Sequence, residues 1–450
     1  MPTPSDRKHI LYVAWAFVPL RATGTANSVA AVNSLIERGH RVTVLTADTD
    51  VADLILGADW SEANRVNPAA RIVRVRQYAG ALDTVISRWT AEQIANPERG
   101  HRLIREAVEG LFPEPVNNGW YPAWVAPATA TASALHRQDP FDLVIANILP
   151  AAGAGVALGM TESAGLPLML VERDSWVFNT FTGRPYDDAA ATRPVLEAVM
   201  DRAVQIWYIN QPLADLHRRE FPAWADKIRA VPNGWDAANL PDQPPVTQPP
   251  VTHPPLTQPP SHPAQQDSHP SSLTFRYVGT IYRDLPLDLV ADAWRQARAV
   301  SPLLAASVLE LSGPVKQWFQ PDPADGIILT GPVPKNQLAE LYARTDGLLF
   351  VLPEGPMVTS AKVYEYAASG LPVISSLPPG HAARAVLAGR PLWFDAAQHS
   401  AAGLAGAFVA AAAHRPTASE AATARAMAEP FKREHLLARA FDDLEETLGW

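Results

Sequence analysis

Residues 354–376 read EGPMVTSAKVYEYAASGLPVISS, and the organisation of the chain is worked outward from them. A loop carrying Gly355 and Pro356 comes first. Thr359 and Ser360 then offer hydroxyl oxygens to the amides that open a helix. The spacing predicts a short helix over 361–369. Gly370 stands where a helix ends on a left-handed residue, and Pro372 blocks any continuation. The run 372–375, Pro-Val-Ile-Ser, reads as a buried strand. Glu365 is a charge in the middle of this otherwise apolar helix, between Tyr364 and Tyr366. Free amides near Thr359–Ala361 make the helix start an anion site. Glu365 is about five residues further on, roughly 7 Å along the axis, which is about the distance from a diphosphate to a nucleotide ribose. A carboxylate there can accept from both ribose hydroxyls; the competing reading is a solvated Glu on a surface helix.

The same strand–loop–helix rhythm extends upstream. Strands are predicted over 273–278, ending at Gly279-Thr280, and over 306–311, 326–330 and 347–352, with helices over 285–300 and 336–344. In the N-terminal half, HILYVAWAFV (9–18) reads as a fully buried parallel strand, followed by a loop containing Gly24, a helix over 27–38 and a strand over 41–46. No G-x-G-x-x-G occurs there, so a dinucleotide fingerprint is not supported. The signal over 48–130 is irregular, with a strand over 71–77, helix over 91–111 and a turn-rich aromatic segment over 117–124. Strands over 141–147, 168–172, 205–209 and 228–231 alternate with helices over 151–164, 189–202 and 212–219. The strand over 168–172 ends in Glu172-Arg173-Asp174-Ser175-Trp176, and charges at the carboxyl end of a buried parallel strand are where α/β folds place chemistry. Asp174 or Glu172 is a candidate to orient a substrate hydroxyl, and Arg173 to contact substrate or phosphate; the alternative is a structural ion-pair cluster.

Between the halves, residues 244–263 nearly repeat a five-residue Pro-Pro unit, a polyproline-prone segment. It reads as a tolerated insertion in a linker, whose deletion leaves folding and activity nearly unchanged because loop entropy depends weakly on length. The expectation is therefore α/β, with two doubly wound Rossmann-like domains facing each other across a cleft. Residues 1–233 form the first domain, 234–272 the Pro-rich linker, 273–425 the second domain, and 426–450 an amphipathic helix able to pack on either domain, including back on the first.

Composition narrows the partners. Of 450 residues, 47% are hydrophobic and 18% charged, enough to bury large cores, and the net charge of −9 argues against nucleic acid and against polybasic attraction to a membrane. Cys is absent, which removes disulfides, thiolate metal sites and a Cys nucleophile. The first apolar run, 10–20, is interrupted by Pro19 and lacks a signal cleavage site. No integral membrane segment is expected, and the protein reads as cytoplasmic or peripheral to the membrane. The Ala, Pro and Arg bias suggests GC-rich bacterial coding.

Several motifs in order carry a family resemblance: Gly24 before a helix ending Glu37-Arg38-Gly39-His40, then Val42–Thr46, Val231-Pro232-Asn233-Gly234, Tyr277-Val278-Gly279-Thr280, Thr330-Gly331-Pro332-Val333, and the run 362–373. The chain resembles GT-B fold glycosyltransferases of the retaining family 4-like group, over most of its length outside the Pro-rich segment. The resemblance implies transfer of a sugar from a UDP- or GDP-sugar to an acceptor hydroxyl, with retention and without a metal cofactor. It implies donor contacts from Gly24, Gly279, Thr280, Val333, Thr359 and Ser360, with Arg283 and Lys362 on the diphosphate and Glu365 on the ribose. Met357 stands where the family's motif carries its first Glu. Three other readings remain open. Asp48-Thr49-Asp50 mimics the Asp-x-Asp metal motif of GT-A transferases. A nucleotide-sugar epimerase shares the GT-B fold. A catalytically weak sugar-nucleotide-binding partner subunit is motivated by Met357.

Overall fold

A computed structural model describes residues 7–21, 24–48, 57–76, 89–96, 99, 122–148, 151–180, 182–242, 272–282, 284–315, 319–352, 355, 357 and 359–450. The chain divides into two compact units, Met1–Asn233 with Arg433–Trp450, and Gly234–Lys432. Residues 234–242, expected as linker, thus belong to the second unit, where Trp235 and Leu240 are buried. The Pro-rich repeat lies outside the described residues, as do Arg283, Glu354 and Asp50.

The first unit is a seven-stranded parallel sheet in the order β3-β2-β1-β4-β5-β6-β7. Its strands are β1 (His9–Ala14), β2 (Arg41–Ala47), β3 (Arg71–Val75), β4 (Leu143–Asn147), β5 (Leu168–Glu172), β6 (Ala203–Tyr208) and β7 (Ile228–Ala230). β1 ends four residues before the apolar run does. Its neighbours supply partners only as far as Ala14, the residue opposite Asn147 of β4. Phe17 and Val18 stay buried, but as core side chains of a turn. The segment read as irregular up to residue 130 contains a helix, Pro122–Gln138, hidden in the sequence by Pro122 and Pro127. A Pro at the first helical position costs no hydrogen bond, which is why the helix tolerates the first of them. Trp124, read as part of a turn, is fully buried in that helix and donates through Nε1 to the Val75 carbonyl (3.2 Å). The terminal helix runs Arg433–Leu448 and packs in this unit through Leu437, Phe441 and Leu444. Arg38 and Asp442 pair at its edge (2.5 Å), with Glu445 Oε1 accepting from Arg38 Nε at 2.6 Å.

The second unit is a six-stranded parallel sheet in the order β10-β9-β8-β11-β12-β13. It comprises β8 (Thr274–Val278), β9 (Val308–Ser312), β10 (Ile327–Leu329), β11 (Gly347–Phe350), β12 (Val373–Ser375) and β13 (Trp393–Asp395). One face packs Phe275, Trp294 and Phe408 edge to face, with centroids 5.1 to 5.6 Å apart. These geometries favour contact between ring edges and faces over flat stacking. The other face holds the Ala361–Ser369 helix with Tyr342, Phe350 and Tyr366. The helices Ala401–Ala413 and Ala418–Ala428 and the strand β13 were not legible in the sequence: the first two are Ala-rich with little periodic contrast, and β13 has three residues. Among the described residues no helix is long and apolar enough to cross a membrane.

In both sheets the strand order reverses once, between β1 and β4 in the first unit and between β8 and β11 in the second. Open α/β sheets bind ligands outside the carboxyl ends of the strands at such a switch point. Gly24 lies in the loop after β1, Gly279 follows β8, and the 355–360 loop follows β11.

Candidate functional site

In the second unit the opening stretch folds as its sequence predicts. The helix spans Ala361–Ser369, Ser360 accepts the Lys362 amide at 3.3 Å, and Gly370 takes φ 76° at the end. The cap thus uses the Lys362 amide. Tyr366 ties this helix to the switch point, because its hydroxyl accepts the Val278 amide (2.8 Å) one residue before Gly279. Tyr277 donates its hydroxyl to the Thr280 carbonyl (2.8 Å), holding the Gly279-Thr280 turn.

Gly279 has φ 138°, and a Cβ there would sit 2.1 Å from Lys362 Cε. The absent side chain lets Lys362 run across the turn, with its ammonium 4.9 Å from the Tyr277 ring centroid and 5.7 Å from that of Tyr282. Burial pushes the Lys362 ammonium below the usual lysine range, with Tyr282 and Glu365 acting the other way. Beneath the turn, Gly313 approaches so closely that its Cβ would lie 2.0 Å from the Gly279 carbonyl oxygen. The Gly279 amide donates to the Ser312 carbonyl at 2.7 Å. The sequence analysis overlooked Gly313; its signal is a Ser-Gly-Pro after a strand, matching the Gly-Thr that follows β8.

Glu365 is 6% exposed, so the solvated reading does not hold. Asn239 Nδ2 donates to Oε1 at 2.6 Å, the Tyr342 hydroxyl to Oε2 at 3.3 Å, and Lys335 Nζ is 3.9 Å from Oε1. Two carboxylate oxygens offer about four acceptor directions, so these contacts leave capacity for further donors. Asn239, Tyr342 and Lys335 carried no sequence signal, since their pairing with Glu365 arises only when the chain is folded. Val333 packs at the edge of the same core. Thr359 is buried beside Tyr364, whose hydroxyl is pushed up to about 12 by burial.

In the first unit the three charged candidates separate. Glu172 is fully buried and accepts the Trp176 amide at 3.1 Å, so it fastens the loop after β5 and cannot meet a substrate hydroxyl. Arg173 and Asp174 attract each other, without an ion pair within 4 Å between Arg173 and a carboxylate among the described residues. Arg173 is 7% exposed and donates to Asn233 Oδ1 at 2.5 Å, and its side chain lies against Gly24, where a Cβ would meet Arg173 Nε at 2.7 Å. Asp174 is more exposed than Glu172 and Arg173 and has its carboxyl raised by burial, partly offset by Arg173. Ser175, next along, accepts the Val177 and Phe178 amides (3.3 and 3.1 Å) and meets His217 Nε2 at 2.8 Å. Burial holds His217 near neutral form, down to about 4.

Burial pushes the Glu172 carboxyl up to about 8, with hydrogen bonds from the Tyr208 hydroxyl and the Trp176 amide acting the other way. The folded state therefore binds this proton more tightly than the unfolded chain does. Its contribution to stability is complete below about pH 4.5 and is lost as pH rises through about 8. Glu172→Gln keeps the shape and the acceptor and removes the titration. In urea unfolding, the variant should gain about 4 kcal/mol on wild type between pH 4.5 and pH 8. An unchanged difference between those pH values would show that Glu172 is ionised in the folded protein.

No family model and no curated protein sequence matches the chain. Solved structures do. Anabaena HepE in complex with UDP and glucose aligns with a TM-score of 0.61 at 13% identity, covering 98% of this chain and 100% of that one. The fold is that of the GT-B glycosyltransferases. Sucrose-phosphate synthase from Thermosynechococcus elongatus aligns equally, TM-score 0.61 at 15% identity, over 98% of this chain and 100% of that one. A glycosyltransferase from Rickettsia africae does so at 0.61 and 11%, over 98% and 99%. This GT-B architecture carries two parallel sheets, one more than the GT-A reading of Asp48-Thr49-Asp50 requires.

Proposed function

We propose that the protein is a glycosyltransferase that moves a sugar from a nucleoside diphosphate sugar, UDP- or GDP-linked, to an acceptor hydroxyl with retention at the anomeric carbon. The observation that carries this reading is the second unit's switch point, where Lys362 crosses a glycine turn at the start of the helix that holds a buried, three-partner Glu365. Glu365 accepts from the ribose hydroxyls. Lys362 and the first turn of its helix neutralise charge developing on the diphosphate, where a partly dehydrated cation is worth more than in water. The anomeric C–O bond to the diphosphate breaks as the acceptor oxygen bonds to the same carbon from the same face. The acceptor proton passes to the departing diphosphate oxygen, so no protein nucleophile is required. Asp174 is the remaining candidate to orient the acceptor hydroxyl, and Arg173 to hold the acceptor.

HepE was solved with UDP and glucose, which makes UDP the first nucleotide to try. A thermal-shift panel of UDP, GDP and ADP on the full chain is expected to single out one base. Transfer to an acceptor should persist in excess chelator, and NMR of the product should show the donor's anomeric configuration. Binding of none of the three nucleotides would overturn the reading. An inverted product would overturn retention alone.

A further inference from the structure

The Lys362 ammonium is held by aromatic faces. It lies 4.9 Å from the Tyr277 ring centroid and 5.7 Å from that of Tyr282, both within the range of a cation–π contact. Among the described residues no carboxylate forms an ion pair with it within 4 Å. Glu365, one turn along the same helix, has Lys335 at 3.9 Å. A carboxylate partner would cancel the charge of the ammonium, whereas a ring face stabilises the cation and leaves its charge for an incoming anion. The two rings differ in what else they do. Tyr277 is fully buried in the core and its hydroxyl donates to the Thr280 carbonyl, so its place is fixed without Lys362. Tyr282 is 40% exposed, while Ile281 beside it is fully buried. The backbone that carries Tyr282 is nonetheless fastened. The Ile281 amide donates to the Pro314 carbonyl at 2.9 Å, the Leu285 amide donates to the Tyr282 carbonyl at 3.1 Å, and Ile281 pairs with Val315 in a parallel bridge. The result is an exposed ring on a fixed backbone, with a cation over it at the switch point.

We propose that Tyr282 is a positioning residue for diphosphate binding: its ring holds the Lys362 ammonium at the Gly279 turn, charged and aimed at the anion. A lysine stem is long and flexible, and its ammonium is a compact point charge. The missing Cβ of Gly279 gives the stem its path, and a Cβ there would meet Cε, Nζ and Cδ of Lys362 at 2.1, 2.9 and 3.2 Å. That path fixes the stem and leaves the head to the two rings. Tyr277 supplies a face from the core and Tyr282 a face from the solvent side. The ring, and not the hydroxyl, is the part of Tyr282 that this role requires. The nucleoside attached to the diphosphate rests on the proposed function; the hold on Lys362 rests on the geometry alone.

The test is calorimetric titration of the full chain with inorganic pyrophosphate and with UDP. Tyr282→Leu, which keeps apolar bulk and removes the ring face, should weaken both ligands about fivefold. Tyr282→Phe keeps the face and should stay within about twofold of wild type. In a Lys362→Met background, Tyr282→Leu should change UDP affinity no further, because a pair that acts as one unit is not additive. Unchanged affinity in Tyr282→Leu, an equal loss in Tyr282→Phe, or an undiminished loss in the Lys362→Met background would overturn the proposal. Where Tyr282→Leu does not fold, Tyr282→Trp decides: indole is the strongest face for a cation, so both ligands should bind at least as tightly as to wild type, and weaker binding counts against the ring. The ligands also separate this inference from the proposed function. Pyrophosphate bound without UDP, GDP or ADP, and weakened by Tyr282→Leu, sinks the transferase and keeps the Lys362–Tyr282 pair. UDP bound equally by wild type and Tyr282→Leu sinks the pair and keeps the transferase. Binding of none of these ligands by wild type overturns both.

Discussion

Glu365→Ala should unfold about 3–5 kcal/mol more readily than wild type, because it strands two buried donors at once. Asn239 is 1% exposed and Tyr342 fully buried, and both point hydrogens at the Glu365 oxygens. Each donor left without an acceptor costs roughly 1–3 kcal/mol. Lys335 adds little, since its side chain is 35% exposed and 3.9 Å away. On the proposed function the same variant should also lose about 2–4 kcal/mol of nucleotide affinity, because hydrogen bonds to a charged group disappear. Glu365→Gln separates the two effects. It keeps an acceptor for Asn239 or Tyr342, so most stability should remain while nucleotide affinity falls. Denaturant unfolding and calorimetry with UDP and GDP read both quantities. An alanine variant as stable as wild type would refute the buried network, and a folded one with unaltered nucleotide affinity would refute the ribose contact.

Gly313→Ala should be the most damaging small substitution in the second unit. Its Cβ would lie 2.0 Å from the Gly279 carbonyl oxygen and 2.5 Å from the carbonyl carbon, and neither backbone atom can rotate away. A loss above about 4 kcal/mol is expected, from overpacking together with distortion of both loops. Gly279→Ala meets a different obstacle. Its Cβ would strike Lys362 Cε at 2.1 Å, the far end of a flexible side chain, while φ 138° is unfavourable for alanine. About 2 kcal/mol is expected there, with Lys362 displaced and nucleotide diphosphate bound more weakly. At roughly 2–4 °C per kcal/mol for a unit of this size, calorimetric melting should rank Gly313→Ala well below Gly279→Ala. Melting of Gly313→Ala within about 1 kcal/mol of wild type would show that the two loops do not meet as described.

Much of the architecture was legible before folding was considered. The 361–369 helix and the 168–172 and 189–202 elements keep their predicted limits. The 361–369 helix is closed by Gly370 and Pro372 and the 168–172 strand is preceded by Gly165 and Pro167, and parallel strands buried on both faces leave continuous apolar runs behind. Where a boundary depended on a neighbour, the sequence misled. The apolar run 9–18 outlasts β1 because strand length is set by pairing, and β2 and β4 stop supplying partners. The Pro122–Gln138 helix was obscured by two prolines whose tolerance depends on position.

The candidate site divides along the same line. Sequence alone determined that the chain repeats βα units on both sides of a Pro-rich segment, that Glu365 lies one helical stretch beyond a capped N-terminus, and that charges gather after the strand ending at Glu172. Those are local facts, written in spacing and residue type. Tertiary structure decided what each group meets: Asn239 reaches Glu365 across 126 residues, Lys362 crosses Gly279, and Arg173 finds Asn233 across 60. It also gave the adjacent Glu172 and Arg173 different partners, the Trp176 amide for one and Asn233 for the other. Burial and long-range contact fix the charge and reach of a side chain, and neither is encoded by its neighbours in sequence.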